Sequence, residues 1–131
     1  MKKKSVFDAF ALLAYLKQES RFEKVKNLLL TEDIQIIINN INLGEIYYIL
    51  ARERGIAQAD YFIQTIFPCL SIFRVSNSFE DVIEAAKIKA EYSLSYADCF
   101  AAATAKREKA PLVTGDPEFK KVEKFITVDW L

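Results

Sequence analysis

The chain has no histidine and few cysteines, glycines and prolines, and each scarcity excludes some kinds of chemistry or structure. It has no histidine, which excludes His-ligated zinc, Ser-His and Cys-His nucleophilic machinery, and acid–base catalysis by imidazole. Its two cysteines, Cys69 and Cys99, do not have the C-x-x-C spacing of a metal or redox motif. We therefore expect reduced thiols. Cys99 directly follows Asp98, but with no histidine to activate it we interpret it as a small buried residue.

Glycine, proline and long apolar runs are also scarce. Three glycines and three prolines in 131 residues leave no candidate linker. With 52% hydrophobic residues, the chain can bury one continuous core, so we expect a single domain over residues 1–131. No stretch reaches the roughly 18 apolar residues of a membrane helix, and Asp8 interrupts the segment that follows the first lysines. We expect a soluble, cytoplasmic protein.

The charges balance. Eighteen basic and eighteen acidic side chains give no net charge, so no global field attracts the protein to nucleic acid or to an anionic membrane. Any polyanion would have to bind a local patch. Three groups of basic residues are candidates, although solvated surface is the simpler interpretation of each: residues 2–4, Lys106 with Arg107 and Lys109, and Lys120 with Lys121 and Lys124.

Short apolar segments alternate with amphipathic ones. We predict strands at residues 5–8, 34–38, 70–75, 111–114 and 125–128. Between them we predict helices at residues 9–17, after a Ser20 cap, at 42–54, at 57–67 before Pro68, after a Ser78 cap, and at 96–109 after a Ser95 cap. The segment 34–38 is β-branched and almost uninterrupted, as in a strand covered by helices on both faces. The alternation predicts an α/β sandwich.

Four acids stand where apolar segments give way to helix starts: Asp8, Glu45, Asp98 and Asp116. In a parallel sheet the carboxyl ends of the strands open on one edge, where such folds bind ligands. Carboxylates brought within roughly 4–6 Å repel one another, which raises some of their pKa values unless a divalent cation neutralises them. The pattern predicts a shared metal site whose oxygen ligands favour Mg²⁺ or Mn²⁺.

Each acid also has a purely structural explanation. Asp8 and Asp116 can be helix N-caps, and the segments 42–45 and 95–98 fit the capping box, in which the fourth residue reaches back to the cap. Considered singly, capping is the better explanation of each acid. Considered together, four caps on one edge would already form a cluster, so capping and metal binding are compatible.

A resemblance to a known family rests on four segments. They are Val6-Phe-Asp8 with the following Ala11-Leu-Leu-Ala-Tyr-Leu16, then Glu45, then Ala97-Asp98-Cys99, and then Leu112-Val-Thr-Gly-Asp-Pro-Glu-Phe119. In this order the chain resembles a PIN domain over essentially its whole length, and in size it is similar to the single-domain toxins of VapC type. The resemblance implies a three-layer α/β/α sandwich with a central, mostly parallel sheet of four to five strands.

The resemblance also implies a function. It suggests a metal-dependent endoribonuclease, the toxin of a toxin–antitoxin pair, whose acidic quartet is matched by Asp8, Glu45, Asp98 and Asp116 with Thr114 as a polar helper. Asp8 and Asp116 would bind the metal directly, Asp98 would complete the set, and Glu45 would either ligate or accept a proton through water. A partner antitoxin could insert Arg or Lys among the carboxylates.

One departure from the family pattern leaves alternatives open. The family often carries Ser or Thr just after the first acid, where this chain has Ala9 and Phe10. Loss of such a hydroxyl commonly changes metal affinity or activity by about 10–100-fold, so a non-catalytic binding module remains an alternative, as does a housekeeping RNA-processing nuclease. A phosphoaspartyl enzyme is less well supported, because Phe10 stands where a haloacid-type phosphatase has its second acid.

We further predict a homodimer. At 13% aromatic residues the chain carries more large apolar groups than a domain of this size readily hides, and the resemblance implies dimers as well. The predicted contact residues are drawn from Tyr47, Tyr48, Ile49, Tyr61, Phe62, Phe67 and Phe73.

Overall fold

The centre of the protein is a parallel sheet. The structure is a computed structural model that describes residues 2–131. Five strands pair side by side in the order β3-β2-β1-β4-β5, and every pairing is parallel. The strands are β1 (Lys3–Phe7), β2 (Ile34–Asn39), β3 (Ile72–Val75), β4 (Leu112–Thr114) and β5 (Val128–Trp130).

Helices connect the strands. They are α1 (Ala9–Leu16), α2 (Phe22–Leu30), α3 (Asn40–Arg54), α4 (Ile56–Tyr61), α5 (Phe67–Cys69), α6 (Phe79–Glu91) and α7 (Tyr96–Glu108). A π-helical segment (Phe62–Ile66) joins α4 to α5, and a 3-10 helix (Pro117–Val122) follows β4. No helix within residues 2–131 has the length and apolar character needed to cross a membrane.

The sheet separates two hydrophobic cores, which confirms the predicted three-layer sandwich. Alternate strand residues face opposite ways: Val6 and Ile37 belong to the core with α6 and α7, whereas Phe7 and Ile36 belong to the core with α1 to α4. This alternation follows from the two-residue period of a strand. Both faces of the central strands are therefore covered, as the apolar run of β2 predicts.

Helix α7 is the most deeply buried helix. Every residue from Cys99 to Ala105 is buried, and five of the positions in this helix are alanines. Small side chains let the backbone of α7 pack closely against the sheet and against its neighbours α3 and α6. As a result, the first turn of α7, which contains Asp98, is brought close to the carboxyl end of the central strands.

Several element boundaries differ from the prediction. The N-cap residue of helix α2 is Arg21, whose side chain makes no capping hydrogen bond. The predicted Ser20 cap was therefore wrong. Pro68 does not end a helix but lies in the first turn of α5, where a missing N–H breaks no helical bond. The last strand is Val128–Trp130 rather than 125–128. Ile126 instead packs into the core below the 3-10 helix.

Candidate acidic site

The four predicted acids lie around one edge of the sheet. Asp8 follows β1, and Asp116 lies two residues after β4, its neighbour in the sheet. Glu45 is on α3, which begins directly after β2 on the other side of β1, and Asp98 is in the first turn of α7. Because β1, β2 and β4 are parallel and adjacent, their carboxyl ends open together. The acids influence one another's protonation, as the pKa shifts below show.

Asp8 is held by two hydrogen bonds and is 2% exposed. Its Oδ1 accepts the backbone N–H of Ala11 at 2.9 Å, which makes it the N-cap of α1 as predicted. Its Oδ2 accepts the hydroxyl of Thr114 at 2.5 Å. Both carboxylate oxygens are therefore fixed in direction, one by the backbone of α1 and the other by β4.

Thr114 joins two of the acids. Its buried hydroxyl donates to Asp8, and the same oxygen accepts the backbone N–H of Asp116 at 3.1 Å. Asp116 caps the 3-10 helix by accepting the N–H of Glu118 at 3.0 Å, which agrees with the predicted cap. Ala9 and Phe10 supply no hydroxyl next to Asp8, and Thr114 supplies one from the neighbouring strand.

Buried amides connect Glu45 to α7. Asn39, rather than Asn42, is the N-cap of α3, so the predicted capping box at residues 42–45 was wrong. The Asn39 amide donates to Asn42 Oδ1 at 2.8 Å and to Thr104 Oγ1 at 2.8 Å. The Asn42 amide in turn donates to the Ala97 carbonyl at 3.1 Å and to Glu45 Oε1 at 3.4 Å.

Sequence reasoning missed this amide network. Asn39 and Asn42 are fully buried, and their partners on α7 lie 55 to 65 residues away in the chain. The one available signal was the polar string Asn39-Asn40-Ile41-Asn42 at the end of a buried strand, because buried amides need partners. The network sets the position of Glu45 relative to Ala97, the residue before Asp98.

The first turn of α7 fixes Asp98. Ser95 caps the helix as predicted, and its Oγ accepts the Asp98 backbone N–H at 3.1 Å, but the reciprocal bond of the predicted capping box, from the Ser95 backbone N–H to the Asp98 side chain, is not formed. Cys99, the next residue, is fully buried, and burial raises the pKa of its thiol. It is a packing residue as expected. Glu118 is exposed and forms an ion pair with Lys121.

The electrostatics of the site penalise negative charge. Burial, opposed by the hydrogen bonds from Thr114 and Ala11, raises the pKa of Asp8 to about 7. Burial and the charge of Asp116 raise the pKa of Asp98 to about 6. Burial is also the main cause of the raised pKa of Glu45, which the Asn42 bond partly offsets. These carboxyls therefore favour a bound proton or a neighbouring cation.

The donor set suits a hard cation, but the side chains do not enclose one as they stand. All four side chains offer oxygen, the ligand type that Mg²⁺ and Mn²⁺ prefer. Within residues 2–131, however, no three Asp, Glu or Cys side chains are arranged to hold a metal ion. Asp8 is already oriented by Thr114 and Ala11, so closure around an ion would need rotations of the other acids.

Comparison with known proteins identifies the family to which this α/β fold and its acidic edge belong. The sequence matches the family model of the PIN domain over residues 5–125. The chain belongs to the PIN domain family, as the four sequence segments predicted. No curated protein matches the sequence.

Solved structures share the fold. VapBC2 from Rickettsia felis, bound to a DNA fragment from its promoter, is 15% identical with a TM-score of 0.76, and the match covers 98% of each chain. VapC20 from Mycobacterium tuberculosis, a toxin that cleaves the sarcin–ricin loop, is 16% identical with a TM-score of 0.76 over 95% of this chain and 98% of that one. DNA-bound VapBC from Salmonella typhimurium is 17% identical with a TM-score of 0.74 over 98% of each chain. At these identities the likeness concerns the fold.

Proposed function

We propose that this protein is a metal-dependent endoribonuclease and the toxin of a toxin–antitoxin pair. The observation that carries the proposal is the convergence of four acids at the carboxyl edge of a PIN fold, with the pKa values of Asp8, Glu45 and Asp98 all raised. The similarity in fold to VapC20, described as a sarcin–ricin loop cleaving toxin, supports RNA as the substrate. The match to the PIN family model covers residues 5–125, which is nearly the whole chain.

The acids would act together on one phosphodiester. Asp8 and Asp116 would bind Mg²⁺ or Mn²⁺ directly, and Asp98 would complete the set of ligands. When bound, the ion supplies Lewis-acid activation of water and stabilisation of charged oxygens. Glu45 would ligate or, through water, take the proton of the nucleophile. Thr114 would keep Asp8 oriented through its 2.5 Å bond, and Asn42 would do the same for Glu45.

Binding of Mg²⁺ or Mn²⁺ would bring the four acids into one site. Without a cation, four carboxylates brought together repel one another and also repel the RNA phosphate. The cation would relieve both repulsions, so we expect it to govern RNA binding as well as cleavage. The preformed part is the pair Asp8 and Thr114, which is buried and hydrogen-bonded.

An antitoxin is the proposed protein partner. Several similar structures are VapBC complexes, which supports a partner for this chain. Basic side chains of that partner would take the place of the ion among the carboxylates through charge-assisted bonds. The binding-module alternative makes a different prediction. A site that only holds a basic side chain would bind the partner without cleaving RNA.

RNA cleavage tests the proposal. Purified protein is incubated with RNA with Mn²⁺ or with a chelator, alongside Asp116→Asn, which keeps the side-chain shape but removes the charge. We expect cleavage only with Mn²⁺, and at least about a 100-fold loss in Asp116→Asn, because even indirect partners of a metal change activity by about 10–100-fold. The melting temperature of this variant without metal should equal or exceed that of the wild type. Full activity in Asp116→Asn would exclude the proposed site.

A homodimer is part of the proposal. Tyr48, Tyr61 and Phe73 are at least half exposed, which supports an apolar contact with a second copy. Phe62, however, is 1% exposed within the core, so it cannot contribute as predicted. Light scattering at micromolar concentration should give about twice the 15.0 kDa chain mass, and a monomer that persists with metal present would contradict the dimer.

A further inference from the structure

Phe10 is an exposed aromatic residue in the first turn of α1, two positions after Asp8. Its neighbours Ala9 and Ala11 are buried, whereas Phe10 is 39% exposed. Its ring lies against Gly115. A Cβ atom placed on Gly115 would stand 2.4 Å from Cε1 and 2.7 Å from Cζ of Phe10. The ring therefore packs directly on the backbone of the loop that links Thr114 to Asp116.

Gly115 accommodates this ring. Among the glycines, only Gly55 has a positive φ, so the backbone of Gly115 does not require glycine for conformational reasons. Its lack of a side chain is explained by the position of Phe10, because any Cβ there would displace the ring. Phe10 is thus held on one side by α1 and on the other by the Asp116 loop. A partly exposed aromatic ring has a fixed place beside two of the acids.

We infer that Phe10 is a stacking platform for an unpaired base of the RNA, which it positions beside the acids. The inference rests on the proposed ribonuclease function and narrows the substrate to single-stranded segments. Acids repel phosphate, and Lys121, the lysine that pairs with Glu118 near Asp116, already has a carboxylate partner. Stacking needs no charge on the RNA, and it strengthens binding by about 5- to 150-fold per base.

Kinetics with single-stranded RNA test the inference. The steady-state kcat and KM are measured with Mn²⁺ for the wild type, Phe10→Leu, Phe10→Trp and Phe79→Leu. Phe79 is a matched control because it is 74% exposed at the start of α6, which carries none of the four acids, and it is not among the predicted dimer contacts. Phe10→Leu should raise KM by about 5- to 150-fold with little change in kcat. Phe10→Trp should restore KM, and Phe79→Leu should match the wild type.

A second variant moves the ring without removing it. Gly115→Ala should also raise KM, since its Cβ would take the space of the Phe10 ring. Combined with Phe10→Leu it should add less than it does alone, because both changes act on the same contact. The melting temperature of each variant is measured to establish that it is folded. This control separates a loss of stacking from a loss of structure.

The outcomes separate this inference from the function on which it rests. If the wild type cleaves RNA but Phe10→Leu behaves like Phe79→Leu, the stacking role is overturned and the ribonuclease stands. The same holds if Phe10→Leu and Phe10→Trp are equally impaired, or if only kcat falls. If the wild type cleaves no RNA with Mn²⁺, the proposed function fails and the stacking role fails with it. A Phe10→Leu protein that loses only partner binding would make this ring a protein contact instead.

Discussion

Asp8 and Glu45 belong to the same acidic edge but are held in different ways. Asp8 is fully buried, and both its oxygens accept short bonds, from the backbone of α1 and from Thr114. Glu45 is only half-buried and receives one long bond of 3.4 Å from Asn42. The comparison shows that one half of the site is built by strand ends and helix caps, and the other by side-chain amides between α3 and α7.

This difference separates a preformed half from an adjustable half. The Asp8–Thr114 pair follows directly from the pairing of β1 with β4, so its geometry is fixed by the sheet. The Glu45 half depends on Asn39 and Asn42, whose bonds cross from α3 to α7. We expect perturbations of the first half to have the larger effect on the pH dependence of stability, and perturbations of the second half to change the position of Glu45.

The largest expected effect on stability is that of pH on Asp8. Its folded pKa of about 7 lies above its ordinary value of 3.8. The charged form is therefore disfavoured in the folded protein. This group lowers stability progressively as pH rises from about 4 to 7, with the full penalty above that range and none below it. A shift of this size corresponds to about 4 kcal/mol.

The variant Asp8→Asn does not titrate and so tests this penalty. Without metal, the free energy of unfolding of Asp8→Asn relative to the wild type should rise by up to about 4 kcal/mol between pH 4 and pH 8. Urea unfolding at the two pH values measures the difference. If the difference in free energy of unfolding between the two proteins does not depend on pH, burial does not disfavour the charged form of Asp8 in the folded protein.

A pair of variants compares the two halves directly. Thr114→Val removes the hydroxyl that donates a hydrogen bond to Asp8, and Asn42→Leu removes the amide that links Glu45 to Ala97. Each should lower the free energy of unfolding by about 1–3 kcal/mol, because each leaves a buried polar group without its partner. Thr114→Val should steepen the loss of stability between pH 4 and pH 8 more than Asn42→Leu does. The bond from Thr114 lowers the pKa of the fully buried Asp8, whereas the bond from Asn42 lowers the pKa of the half-buried Glu45.

Cleavage assays complete that comparison. Both variants should lower activity by about 10–100-fold, the range found for partners that orient metal ligands. If Asn42→Leu lost stability but kept full activity, the amide network would be structural and Glu45 would be positioned by other contacts.

The smallest expected effect concerns the caps. Ser95 caps α7 next to Asp98, and Ser78 caps α6 through a complete capping box with Asp81. Ser95→Ala and Ser78→Ala should each destabilise the protein by about 1 kcal/mol. Only Ser95→Ala should also reduce RNA cleavage, because it loosens the turn that carries Asp98. Equal activity in the two variants would mean that the turn is fixed by the burial of Cys99 and Phe100 alone.

The sequence predicts one half of the site better than the other, for a physical reason. Asp8 and Asp116 were assigned as caps correctly because capping is a local interaction, visible within three residues. The cap of α3 was misplaced from Asn39 to Asn42 because both are asparagines and their difference lies in partners on α7. Such contacts depend on tertiary packing, which periodicity does not contain.

The fold shows the same limit. The α/β alternation and the buried strand β2 follow from periodicity and composition, and the segments resembling a PIN domain predicted the layers. The strand order β3-β2-β1-β4-β5 is set by crossovers that no local pattern specifies. The burial of Phe62 was likewise missed, since a helical pattern indicates an apolar face without showing what covers it.

Binding of Mn²⁺ tests most directly the central claim that the four acids form one metal-dependent site. Thermal melting with and without Mn²⁺ is compared for the wild type, Glu45→Gln, Asp98→Asn and the control Glu118→Gln, whose exposed carboxylate already pairs with Lys121. We expect Mn²⁺ to raise the melting temperature of the wild type and of Glu118→Gln alike, and to raise it far less in Glu45→Gln and Asp98→Asn. A wild type that Mn²⁺ does not stabilise, or equal stabilisation of all four proteins, would contradict the shared site.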